Sequence, residues 1–130
     1  MNLVEEIQLA NNLTVEIWDK SRDIAEDTTL VKLIIKAKIE IKPEYFSDPI
    51  HFEQVTKVFG PEIYFQYEKE RTFVDSQDKE TVFADLLDDF KRDSLPYIAR
   101  GNFPARFALS KYDEIQRRYY KYRHILDDIT

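Results

Sequence analysis

The sequence predicts an α+β fold, a mainly antiparallel sheet of about four strands with about three helices packed on one face. Three observations predict it. Apolar and polar residues alternate through much of the first half, the period of a half-buried strand. In the second half apolar residues recur every three or four positions, the period of a helix face. Strands largely precede helices instead of alternating with them, as α+β order requires.

The first strands form a hairpin over residues 3–19. Leu3, Ile7 and Leu9 share one parity, Asn11 and Asn12 supply turn residues that tolerate positive φ, and Leu13, Val15 and Ile17 resume the parity. The stretch "DKSRDIAEDTT" (19–29) reads as a polar loop. Over 30–42, Val31, Leu33, Ile35, Ala37, Ile39 and Ile41 face one way. Lys32, Lys36, Lys38, Glu40 and Lys42 face the other, so one side of this strand meets a core and the other meets water. Ile63, Phe65, Tyr67 and Phe73 repeat the pattern over 62–74. Whether that strand pairs antiparallel with 30–42 or follows a parallel crossover, the pattern leaves open.

Helix punctuation is clear at 49–59, where Asp48 can cap, Pro49 fits the first turn, and Gly60–Pro61 ends the helix. A second helix spans 76–93, with Val82, Phe83, Leu86, Leu87 and Phe90 as its apolar face and Lys91 and Arg92 at its cationic end. A third spans 106–128. It contains "QRRYYKYRH" (116–124), which at first sight resembles a nucleic-acid grip. Ala108, Tyr112, Ile115, Tyr119, Tyr122, Leu126 and Ile129 form one seam at alternating spacings of four and three, so most of its tyrosines belong to a core stripe. Its cations stand four residues from acids: Asp113 and Arg117, Glu114 and Arg118, Arg123 and Asp127.

Composition narrows the chemistry. At 130 residues the chain is expected to be one globular domain, with 43% apolar and 34% charged residues and a net charge of −6. There is no Cys, which removes disulfides, thiolate metal sites and Cys nucleophiles and fits a reducing cytoplasm. The two glycines, Gly60 and Gly101, cannot build a phosphate loop or a dinucleotide fingerprint. The start "MNLVEEIQLA" has acids where a signal peptide carries cations, and "LVKLIIKAKIEIK" is too broken by lysines to span a bilayer. Charge is segregated: residues 1–90 hold 10 cations against 20 acids, and residues 91–123 hold 9 cations against 3 acids. The acidic bulk disfavours nucleic acid as a partner.

No catalytic residue, metal site or cofactor is assigned. The carboxylates Asp85, Asp88 and Asp89 share a helix face, but a solvated face accounts for them. His51 and Glu53 form H-x-E without the C-x-x-C that a zinc deaminase needs. The candidate binding residues are Trp18, whose parity places it on the sheet's wet face, and Arg22, Arg100 and Arg106, planar donors expected in loops. The basic residues Arg117 and Lys121 join them. Val4, Leu30, Ile34 and Tyr64 share Trp18's non-core parity and would complete an apolar patch.

The stretches "LTVEIWDKSRDIAEDTTLVKL" (13–33) and "FPARFALSKYDEIQRR" (103–118) resemble stretches of small uncharacterised bacterial proteins. The resemblance implies a bacterial, cytoplasmic, single-domain protein and transfers no activity, cofactor or site. The expected function is a non-catalytic binding or interaction module with a protein partner or a second copy of itself. One alternative is a homo-oligomer assembled through the C-terminal helix. Another is a small enzyme using carboxylates and arginines in a cleft.

Overall fold

The computed structural model describes residues 1–127. Its elements run β1 (Asn2–Gln8), β2 (Thr14–Asp19), β3 (Arg22–Ala25), β4 (Thr28–Glu40), α1 (Pro49–Phe59), β5 (Glu62–Asp75), α2 (Lys79–Asp93), α3 (Leu95–Ile98), α4 (Phe103–Arg117) and α5 (Tyr119–Leu126). Short 3-10 turns occupy Pro43–Tyr45 and Ser76–Asp78. The fold is α+β, an antiparallel sheet of five strands with five helices among the described residues. The chain divides into two compact units, one of residues 1–37 and 65–100, the other of residues 38–64 and 101 onward. Among the described residues no helix is long and apolar enough to cross a membrane.

In the first unit β1 and β2 form the expected hairpin, with Ile7 opposite Val15 and the left-handed Asn12 (φ 70°) at its turn. Asn11 does more than turn the chain. Its Oδ1 accepts from Leu13 N, and its Nδ2 donates to the carbonyls of Ile98 (2.8 Å) and Arg100 (2.9 Å) at the end of α3. Those are orphan carbonyls of a helix terminus, satisfied here by a side chain.

The polar loop expected at 19–29 is instead the extension of a hairpin. Trp18 faces Ile34 and Asp19 faces Leu33; past the break, Arg22 faces Leu30 and Asp23 faces Thr29 in the same register. β2 and β3 are therefore one strand interrupted at Lys20–Ser21. There Lys20 N donates to Lys32 O (2.9 Å), and the Ser21 hydroxyl accepts from Lys32 N (3.0 Å) in place of a backbone carbonyl. Glu26 and a left-handed Asp27 (φ 61°) close the turn into β4.

β4 carries the core. Val31, Leu33, Ile35 and Ile39 are fully buried and Ala37 nearly so, while Lys36 is half-buried and Lys38 and Glu40 are exposed. One sheet face is thus covered, as the alternation predicts. β5 lies antiparallel to β4 with no parallel crossover. Lys32 Nζ meets Glu68 (3.4 Å) and Lys38 Nζ meets Glu62 (3.6 Å), partners that descend as β4 ascends. Gln66 and Lys32 together hold the Glu68 carboxyl below the usual carboxylate range. Phe90 of α2 is buried with its ring 5.4 Å from that of Tyr67.

In the second unit α1 matches its expected bounds. Asp48 Oδ1 accepts from Ile50 N (2.9 Å), Pro49 opens the helix, and Gly60 ends it at φ 87°, a backbone that L side chains resist. The single helix expected over 106–128 starts earlier, at Phe103, and breaks at Arg118 (φ −122°, ψ 38°). Ala108, Ile115, Tyr122 and Leu126 keep the seam and are buried. Tyr119 leaves it at 36% exposed, because the break turns Tyr122 toward the Phe59 ring, 5.9 Å away. Ile129 lies outside the described residues.

One buried polar group in this unit is unanswered. Gln54 on α1 is 5% exposed, and its Oε1 has no hydrogen-bond partner among the described residues. Such an orphan costs about 1–3 kcal/mol. Gln54→Met keeps the length and removes the carbonyl, so it is expected to raise stability by about 1 kcal/mol. A urea melt checks this; an unchanged or lower midpoint would show that the amide is satisfied.

Candidate binding cleft

The residues singled out from sequence do not converge on one site. Trp18 sits on β2, Arg22 on β3, and Arg100 in the bend after α3. Arg106 and Arg117 belong to α4, and Lys121 to α5. Arg22 and Arg106 are therefore not loop residues. Hairpin extension takes in the first, and the early start of α4 at Phe103–Pro104 takes in the second.

Trp18 lies on the sheet face away from the core, as its parity predicts. It stands between Leu3 of β1 and Ile34 of β4. Its Nε1 donates to Glu16 (3.0 Å), and Lys36 Nζ lies 5.9 Å from the ring centroid. Val4 is not its neighbour. The register shifts between Leu3 and Glu5, so a bulge puts Leu3 on Trp18's face. Ile34 is only 3% exposed, which makes the indole partly a lid over it, while Leu3 is 45% exposed.

The basic C-terminal residues are partly answered at home. Glu114 pairs with Lys111 (3.7 Å), and Arg117 Nε donates to the backbone carbonyl of Asp113 in place of its carboxylate. Arg117, Arg118 and Tyr120 line a hollow of about 570 Å³ with Ser110 and Glu114. Lys121 lies instead over the Tyr122 ring (5.5 Å). Arg100 stacks over Tyr97 at 5.4 Å. His51 stacks on Tyr112, centroids 4.0 Å apart and planes 24° apart, with Asp48 3.9 Å from its Nε2. Burial first, then Asp48 and Asp113, push the Tyr112 phenol above its ordinary value. Asp89 is taken by Arg92 (2.9 Å), and among the described residues no three His or carboxylate side chains gather as metal ligands.

A further concave site gathers polar groups from both sheet and helix, and of the sequence candidates it contains only Arg22. It is a half-open cleft of about 400 Å³ in the first unit, where the β2–β3 break faces the start of α2. Asp19, Ser21, Arg22 and Asp23 form one wall. Lys79, Glu80 and Phe83 form the other, and Met1 and Asn2 border it. Thr29, 2% exposed, also lines it. Its hydroxyl donates to Asp23 Oδ1 (3.0 Å) and shares a 2.7 Å bond with the Ser76 hydroxyl, which anchors the Asp23 carboxylate. Asp19 is set by its own bond to Ser21 N (2.8 Å).

The break at Lys20–Ser21 lies in the first wall, where Asp19 Oδ1 accepts from Ser21 N. Arg22, Lys79, Asp19, Asp23 and Glu80 form no ion pair with one another or with other described residues. Residues of both charges thus line the cleft, Asp19 and Asp23 on the strand face that carries Thr29 and Arg22 at the alternate position opposite Leu30. No family model, no curated protein and no solved structure matches the chain.

Proposed function

We propose that the protein is a non-catalytic binding module and that the Arg22 cleft is its binding site. The observation that carries this is a cleft of about 400 Å³ lined by five charged residues, two cationic and three anionic, that form no ion pair among the described residues. Clefts of that size with a few fixed polar groups are the usual form of a small-ligand site. Two of the carboxylates are fixed by hydrogen bonds, Asp23 to Thr29 and Asp19 to Ser21. Neither histidine borders the cleft, and its most buried hydroxyl, Thr29, is engaged by Asp23 and Ser76, so binding is better supported there than catalysis.

The test is a titration of ¹⁵N-labelled protein with a panel of small carboxylates, amines, amino acids and phosphates. Saturable shifts are expected at residues 19–23, 29 and 79–83, and Lys79→Glu is expected to abolish them. Shifts confined to other surfaces, or none, would overturn the assignment.

A second reading, binding of a protein partner on the sheet face, is favoured by the Leu3–Trp18–Ile34 row. Assembly through the C-terminal seam has less support, since Ala108, Ile115, Tyr122 and Leu126 are already buried in their own chain. A cytoplasmic, bacterial setting is what the sequence resemblance implies for either reading.

A further inference from the structure

The free edge of β5 is a second surface, independent of the cleft. We infer that residues 68–71 dock an extended segment of a partner protein, as an added strand in which cations alternate with acids. β5 hydrogen-bonds β4 along one edge, and residues 68–73 are exposed. Among the described residues no strand covers the other edge, where every second residue turns its N–H and C=O outward. Such an edge takes a partner strand by main-chain hydrogen bonds, and the side chains along it select which strand.

Here those side chains are sorted by face. Lys32 Nζ reaches both Glu68 (3.4 Å) and Glu70 (3.9 Å), so the two acids stand on the Lys32 face of the sheet, away from the core. Lys69 and Arg71 alternate with them onto the opposite face. Arg71 accordingly borders an open groove of about 360 Å³ against Val82, Asp85 and Leu86 of α2. Each face keeps an excess of its own sign. Lys32 is one cation beside two carboxylates, and Asp85 is one acid beside two cations, since Asp89 in the same groove is held by Arg92. Directly opposed residues share a face, so the complement has Lys or Arg opposite Glu68 and Glu70, and Asp or Glu opposite Lys69 and Arg71. A guard against aggregation needs only a run of one sign. Opposite signs on the two faces repel an antiparallel second copy, like against like, and still attract one pattern; specificity is built from both effects. Phe73, 81% exposed with a left-handed backbone (φ 56°), adds an apolar ring at the end of the same edge. A strained residue that contributes little burial to its own chain fits a contact surface.

Two capped peptides of equal composition and charge test the pattern: one of four Lys-Glu repeats, the other of two Lys-Lys-Glu-Glu repeats. Each is titrated into the ¹⁵N-labelled full chain. The alternating peptide is expected to give saturable amide shifts at residues 67–73. The blocked peptide sets two like pairs opposite in every full register, in either direction, and is expected to bind about tenfold more weakly. Lys69→Glu combined with Arg71→Glu makes both faces acidic at exposed positions. The pair is expected to leave the amide spectrum folded, to weaken the alternating peptide about tenfold, and to erase the difference between the two peptides. Equal affinity of the parent chain for both peptides, shifts confined to other residues, or silence from both would overturn the proposal. So would a parent chain that dimerises through these residues on its own, seen as a molar mass that rises with concentration and stays monomeric in the double variant; the edge would then belong to a second copy.

Discussion

Phe90→Ala is expected to cost about 3–5 kcal/mol, the range for truncating a buried aromatic ring. Against a domain's typical total of about 5–15 kcal/mol, that brings the first unit close to unfolding. The ring is 1% exposed, tilted at 43° to Tyr67, and projects from α2 beneath the sheet. Its loss removes both the transfer free energy of the ring and its contacts, because the rigid strands around it cannot collapse to fill the gap. A urea melt followed by circular dichroism reads the effect. Phe73→Ala is the control that identifies the cause, since Phe73 is 81% exposed on β5 and holds a left-handed backbone (φ 56°) that L residues resist. It is expected to leave the midpoint unchanged. A loss of similar size from both variants would mean that aromatic content, and not burial, sets the result. A small loss from Phe90→Ala would show that the α2–sheet contact contributes little.

How much of this was legible depended on whether the local pattern and the tertiary contacts agreed. β4 alternates over five apolar positions from Val31 to Ile39, Ile41 continues the pattern just past its end, and all six are buried. α1 carried both of its terminal signals, and its observed ends coincide with them. β3 has no strand signal in the sequence because "DKSRDIAEDTT" lacks an apolar alternation, Ile24 being its one large apolar residue; pairing with β4, not its own composition, makes it a strand. The bulge that moves Leu3 beside Trp18 adds one residue to a strand and leaves no mark in composition. Tyr119 fitted the seam by spacing, and only the break at Arg118 removes it.

The cleft was the least legible feature. Arg22 stood out as a lone arginine, but its partners on the second wall, Lys79, Glu80 and Phe83, lie more than fifty residues away in the chain. Asp19 and Asp23 looked like loop acids until the hairpin extension placed them on one wall. "DSQD" at 75–78, where Asp75 accepts from Gln77 N (3.0 Å), signals a helix start, but nothing in it says which strand that start will face. Pairwise proximity of this kind is a property of topology, not of spacing.

Replacing Glu68, Lys69, Glu70 and Arg71 together by Thr is expected to turn the protein into a concentration-dependent dimer or larger assembly. β5 pairs with β4 along one edge, and among the described residues its other edge pairs with no strand. Residues 68–73 are exposed, so a long run of backbone donors and acceptors is open to a second chain. Two copies pairing antiparallel about a two-fold axis must set some residue opposite itself, because directly opposed side chains share a face. Centred on Lys69, the pairing opposes Lys69 to Lys69 and Glu68 to Glu70. Centred on Glu70, it opposes Glu70 to Glu70 and Lys69 to Arg71. Centres at Glu68 or Arg71 oppose each to its own charge. Four consecutive charges therefore penalise every central register, and like charges directly opposite destabilise a ladder. The left-handed Phe73 then twists the end of the strand away from regular pairing. The Thr variant loses the Lys32 ion pairs with Glu68 and Glu70, but exposed pairs contribute little and Thr favours strands, so it remains folded. Molar mass by light scattering checks the result across a tenfold concentration range. A mass that rises with concentration in the variant and stays constant in the parent fits the charge guard. Equal masses at every concentration would mean that these charges do not keep the edge of β5 from pairing.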